Sequence, residues 1–106
     1  MSTVTSVRFT PRAAHELVGA FKWYELQRSG LGEEFLDAIG DAVELLRQLP
    51  EIGTCVSGVV RRSLLRRFPY GVFYGVDQGT IVIVAVIHAH RHPAHWPVAL
   101  EGGQER

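Results

Sequence analysis

The segment Thr80–Ile87, TIVIVAVI, constrains the fold more than any other stretch of the chain. After Thr80 every residue is apolar, and all but Ala85 are β-branched. Such side chains are stiff at χ1 and fit a pleated surface better than a helix. The run also falls well short of the roughly 20 apolar residues that a membrane helix needs. A strand sends successive side chains to opposite faces. Ile81, Ile83, Ala85 and Ile87 then share one face, and Val82, Val84 and Val86 the other. Both faces are apolar, so the strand belongs inside a sheet and each side needs a cover.

One cover is legible upstream. Val4–Thr10 is rich in β-branched residues and reads as a strand. Thr10-Pro11 starts a helix, with threonine as cap and proline at the first helical position. Ala14, Leu17, Val18, Phe21 and Tyr24 recur at helical spacing down to Ser29. The SGLG stretch, Ser29–Gly32, stops this helix. A second helix follows with Phe35, Leu36, Ile39, Val43, Leu46 and Leu49 on one face, and Pro50 ends it. Glu33 and Glu34 in its first turn suit the helix dipole. So short a connection makes the pair an antiparallel hairpin.

Glu51–Gly58 reads as a loop, and Val59–Phe68, Tyr70–Val76 and Thr80–Ala89 as strands. Asp77-Gln78-Gly79 supplies a hairpin turn, with Gly79 free to adopt a positive φ. The order is therefore β-α-α-β-β-β. Two consecutive helices cannot make the crossovers of a parallel, doubly wound sheet. The expected fold is α+β in two layers, a helical hairpin on a largely antiparallel four-stranded sheet. Residues 1–96 form one domain, and 97–106 a polar tail expected to be flexible. The helices cover a single face. Arginine stems and aromatic rings can shield the other, or a second chain can dock there.

A length of 106 residues, 46% hydrophobic and 21% charged, fits one globular domain. Cys55 is the single cysteine, which excludes an internal disulfide framework and fits a reducing compartment. The start, MSTVTSVRFT, lacks the apolar centre of a signal peptide. A soluble, cytoplasmic protein without membrane contact is expected. Net charge is zero, but unevenly spread. Glu16, Glu25, Glu33, Glu34, Asp37, Asp41 and Glu44 outweigh Arg12, Lys22, Arg28 and Arg47 in the helical half. Beyond Val59, Arg61, Arg62, Arg66, Arg67 and Arg91 face only Asp77 as far as Trp96. A basic sheet of this kind favours an acidic partner.

A distributed set of residues is family-specific. Phe9-x-Pro11-x-Ala13 enters the first helix, Trp23-Tyr24 lies near its end, Gly32-x-x-Phe35 opens the second and Pro50 closes it. Arg61-Arg62, Arg67-Phe68-Pro69-Tyr70 and Tyr74 follow, then Val86-x-His88-x-x-Arg91-x-Pro93-x-x-Trp96. From about Val7 to Trp96 this resembles the RelE/ParE superfamily of bacterial type II toxins, on its ParE (plasmid stabilisation) side. The resemblance implies a toxin neutralised by a cognate antitoxin whose disordered segment folds around it. ParE-like members inhibit DNA gyrase by protein contact, whereas RelE-like members cut messenger RNA on the ribosome.

Three features favour the gyrase side. Ribosome-dependent nucleases of the superfamily are strongly basic, as phosphate neutralisation requires, and this chain is neutral. Lys22 is its only lysine. Trp96 stands where RelE-like nucleases carry a late tyrosine, and an indole cannot donate a proton in acid–base catalysis. If the chain is instead a nuclease, His88, Arg91, His92, His95 and Arg61 are the candidates for base, phosphate clamp and acid. The candidate partner-binding residues are Arg61, Arg62, Arg66, Arg67, Arg91 and Trp96. For the arginines the competing role is structural, pairing with helical acids or covering apolar surface. His88, His90 and His92 alternate as shared metal ligands can. No carboxylate or cysteine lies close by and Pro93 breaks the strand, so no metal or cofactor is expected.

Overall fold

The structure, a computed structural model, describes residues 6–100. Its elements are β1 (Ser6–Phe9), α1 (Pro11–Gln27), α2 (Leu31–Gln48), β2 (Thr54–Ser57), β3 (Val60–Leu64), β4 (Tyr70–Asp77), β5 (Thr80–His88) and a 3-10 turn, Pro93–His95. Val4 and Thr5, expected in the first strand, lie outside the described residues. The two helices pack on one face of a sheet ordered β1-β5-β4-β3-β2.

The sheet corrects the expected one in two respects. It has five strands, because Thr54–Ser57, read as loop, turns back on β3 through Gly58. Four residues with Val56 as the main apolar side chain are too few to show a hydrophobic period, and only the partner strand reveals them. The sheet is also mixed: β1 runs parallel to β5, with Phe9 opposite Ile83. The helical hairpin carries the chain from the β1 edge of the sheet to the opposite edge at β2, and three antiparallel turns then bring β5 back beside β1.

The corner between β1 and α1 is held by Thr10. Its Oγ1 accepts the Ala13 N–H at 3.2 Å, and its own N–H donates to the Ile83 carbonyl at 2.9 Å. One residue thus caps the helix and extends the β1–β5 ladder. Between the helices, Gly30 has no side chain with which to cap α2. Glu25 of α1 replaces it, its carboxylate accepting the N–H groups of Gly30 and Gly32 at 2.9 Å each. Gly32 must be glycine, since a Cβ there would stand 2.7 Å from the Phe21 carbonyl oxygen.

At the β4–β5 hairpin, Gln78 and Gly79 both take positive φ, 50° and 79°, as a two-residue primed turn requires. Farther along, Phe73 faces Ala85 but Tyr74 faces Ile83, so Val84 is an extra residue bulged out of β5. The bulge overturns the strict alternation expected of TIVIVAVI. Ile81, Ile83 and Val86 point to the helices, joining Phe35, Ile39, Leu46, Val72 and Tyr74 in the main core. Val82, Val84, Ala85 and Ile87 point outward with Val60 and Phe73. The helical stripes also shift: Ala13, Ala20 and Tyr24 are buried on α1, whereas Ala14 and Val18 are exposed.

The outer cluster is covered by the chain itself. After β5 the backbone crosses this face, and Trp96 and Leu100 pack on the cluster with Val56. The Trp96 ring lies 5.3 Å from that of Phe73, and the Arg62 guanidinium sits 4.9 Å above the indole. Self-cover by an arginine stem and an aromatic ring is therefore the arrangement adopted.

Candidate partner interface

The arginines of the Arg61–Arg67 stretch have separate duties. Arg61 donates from Nη1 to the carbonyls of Gly53 at 2.8 Å and Glu51 at 3.2 Å. The same loop is held by Tyr74, whose hydroxyl donates to the Pro50 carbonyl at 2.8 Å and accepts the Gly53 N–H at 3.0 Å. Burial pushes the Tyr74 phenol above its ordinary pKa. Arg62 lies on Trp96. Arg67 reaches the Glu34 carboxylate at 2.8 Å and stacks over Phe68 at 5.4 Å. Its hydrogen bond, with that from Arg28, draws the Glu34 carboxyl below its ordinary pKa. Arg66 and Arg91 remain exposed. No side-chain hydrogen bond or ion pair joins either to another described residue.

The histidine segment is ordered by its own backbone. His88 Nδ1 accepts the His90 N–H at 3.2 Å, and His92 Nδ1 accepts the Ala94 N–H at 3.0 Å, capping the 3-10 turn. The His95 carbonyl receives Nη2 of Arg12 at 2.5 Å. Arg12 is in turn paired at 3.0 Å with Glu16, whose other oxygen accepts the Val86 N–H at 2.8 Å. That amide needs an acceptor because β1 ends at Phe9 and leaves the upper edge of β5 without a neighbour. Two helical side chains thus fasten the bulged strand and the segment that follows it. Sequence reasoning passed over both; the i,i+4 spacing of Arg12 and Glu16 was visible, their distant partners were not.

His88 meets Tyr70, with ring centroids 5.4 Å apart, and Arg91 is close enough to oppose the upward effect of burial on the Tyr70 phenol. Arg61 is not part of that group. It is registered with Tyr74, four residues along β4 from the Tyr70 that faces His88. That is roughly 13 Å along the strand. No ring contact or hydrogen bond links His88 to His92 or His95 among the described residues. Nor do three metal-ligating side chains come together there. No helix among them is long and apolar enough to cross a membrane.

A helical hairpin on one face of a mixed five-stranded sheet, closed on the other by the segment after β5, defines a small two-layer α+β domain. One chain of the chromosomal ParDE toxin–antitoxin system from P. aeruginosa shares this fold with a TM-score of 0.62 and 23% identity, over 84% of this chain and 100% of that one. A chain of the toxin–antitoxin complex RelBE2 from Mycobacterium tuberculosis does so with a TM-score of 0.58 and 23% identity, over 83% and 94%. A search among curated proteins finds no match. Residues 7–93 match the family described as ParE toxin of type II toxin-antitoxin system, parDE. The chain belongs to that family.

Proposed function

We propose that this toxin acts by binding, with DNA gyrase as its target in the cytoplasm, and that a cognate antitoxin holds it inactive. The observation that carries this reading is the employment of the histidine segment. His88 and His92 turn their Nδ1 atoms to neighbouring backbone amides. Together with a net charge of zero, this supports a contact surface over a site for cutting polyanionic RNA. The exposed Arg66 and Arg91 are the residues best placed to meet an acidic antitoxin or target, while Arg61, Arg62 and Arg67 hold the toxin's own structure.

The test is induction in growing cells and a supercoiling assay on purified protein. Gyrase inhibition and a DNA-damage response are expected, with transcripts intact. His88→Ala, His92→Ala and His95→Ala should leave inhibition largely standing. The meeting of Tyr70, His88 and Arg91 at one end of the sheet favours a second reading, ribosome-dependent cleavage of messenger RNA. In that case His88→Ala or Arg91→Ala should each cost on the order of 100-fold in cleavage. Transcript cuts lost on these substitutions would replace the gyrase reading.

A further inference from the structure

Helix α1 carries a second face that the fold does not use. Gly19, Lys22, Trp23 and Leu26 lie at i, i+3, i+4 and i+7, and all four are exposed. Trp23 is 55% and Leu26 85% accessible, the latter the most exposed large apolar side chain among the described residues. A Cβ on Gly19 would meet nothing within 4 Å. A glycine inside a helix costs about 1 kcal/mol relative to alanine, and here no internal packing offsets it. A bare glycine at the centre of an apolar face does allow another surface to come close.

Elsewhere on the molecule, α2 and the end of β3 enclose a groove of about 480 Å³. Asp37 and Asp41, one helical turn apart, form one wall; Arg66 stands on the other, with Ala42, Leu45 and Leu64 between. Leu45 is 42% and Leu64 53% accessible. Neither the two carboxylates nor the Arg66 guanidinium bonds to another described residue, although opposite charges face each other. Pairing of β2 with β3 stops at Arg62, so the β3 edge has no strand neighbour from Ser63 onward.

We propose that the free toxin associates with itself head to tail, the α1 face of one copy lying in the α2–β3 groove of the next. The charges match: Lys22, on one flank of the face, meets Asp37 and Asp41. Trp23, on the other flank, offers its ring to Arg66, the best aromatic partner for a guanidinium. Leu26 enters between Leu45 and Leu64, and Gly19 lets the helix settle against Ala42. Zero net charge removes the long-range repulsion that would keep copies apart. The two patches share no residue, so the contact is heterologous, and it grows into a ring or a chain of copies.

Sedimentation velocity of the purified full chain, from about 10 μM to about 1 mM, tests this at the weak end of specific affinity. Wild type should grow in mass with concentration. Leu26→Asp disables the face alone, and Asp41→Lys with Leu64→Lys disables the groove alone; both alter exposed positions, and circular dichroism checks their folds. Each variant should be monomeric by itself. An equimolar mixture keeps one intact face and one intact groove, and should give a 1:1 dimer that grows no further. A wild type monomeric throughout, a groove variant that still associates, or a mixture that stays monomeric would each overturn the proposal.

Discussion

Replacing Tyr74 by phenylalanine isolates one hydroxyl at the join between sheet and loop. The ring is fully buried, so the substitution keeps its volume and packing. The hydroxyl donates to Pro50 and accepts from Gly53, and both bonds vanish. The Gly53 residue is buried, and leaving its N–H unpaired costs about 1–3 kcal/mol. The Pro50 carbonyl is partly exposed and recovers most of its loss from water. A net destabilisation of about 2 kcal/mol follows, which lowers Tm by roughly 10 °C in a domain of this size. Urea denaturation at neutral pH measures it. A second signature lies at high pH. Burial holds the Tyr74 pKa above its ordinary value of 10.0, so its contribution is fully present below the unfolded-state pKa and is lost as pH rises through the folded one. The phenylalanine variant should therefore lose stability less steeply above about pH 10. A change under about 0.5 kcal/mol, or an unaltered alkaline limb, would refute the account of the hydroxyl as the loop's anchor.

Other outcomes follow from the same geometry. Glu16→Ala removes the acceptor of the Val86 N–H and should cost about 1–3 kcal/mol, with faster amide exchange at Val86 in a hydrogen-exchange experiment. Trp96→Ala uncovers Val82, Val84 and Ile87. It should cost about 2 kcal/mol, below the 3–5 kcal/mol of a fully buried tryptophan, and raise binding of an apolar dye. NMR titration of Glu34 should place its pKa below the ordinary 4.5, and Arg67→Gln should move it upward. Any stability from that pair is present above the unfolded carboxylate pKa and is lost as pH falls through the folded one.

Much was fixed by local chemistry. Pro11 after a capping threonine, glycines at the helix–helix junction and Pro50 define the helical hairpin, because each acts through the backbone of its own neighbourhood. Asp77-Gln78-Gly79 defines the tight turn in the same way, and TIVIVAVI must be a strand covered on both sides. Tertiary structure decided what depends on distant partners. Val84 bulges only because β4 holds the register on both sides of it, and that single extra residue moves Ala85, Val86 and Ile87 to faces opposite those that alternation assigns. The strand Thr54–Ser57 exists because β3 offers it a ladder; its own residues carry no period. The sequence groups Arg61, Arg62, Arg66 and Arg67 as one basic strip. A guanidinium at the end of a long, flexible stem takes the nearest acceptor in space. The fold gives Arg61 a loop, Arg62 an indole and Arg67 a carboxylate, and leaves Arg66 exposed.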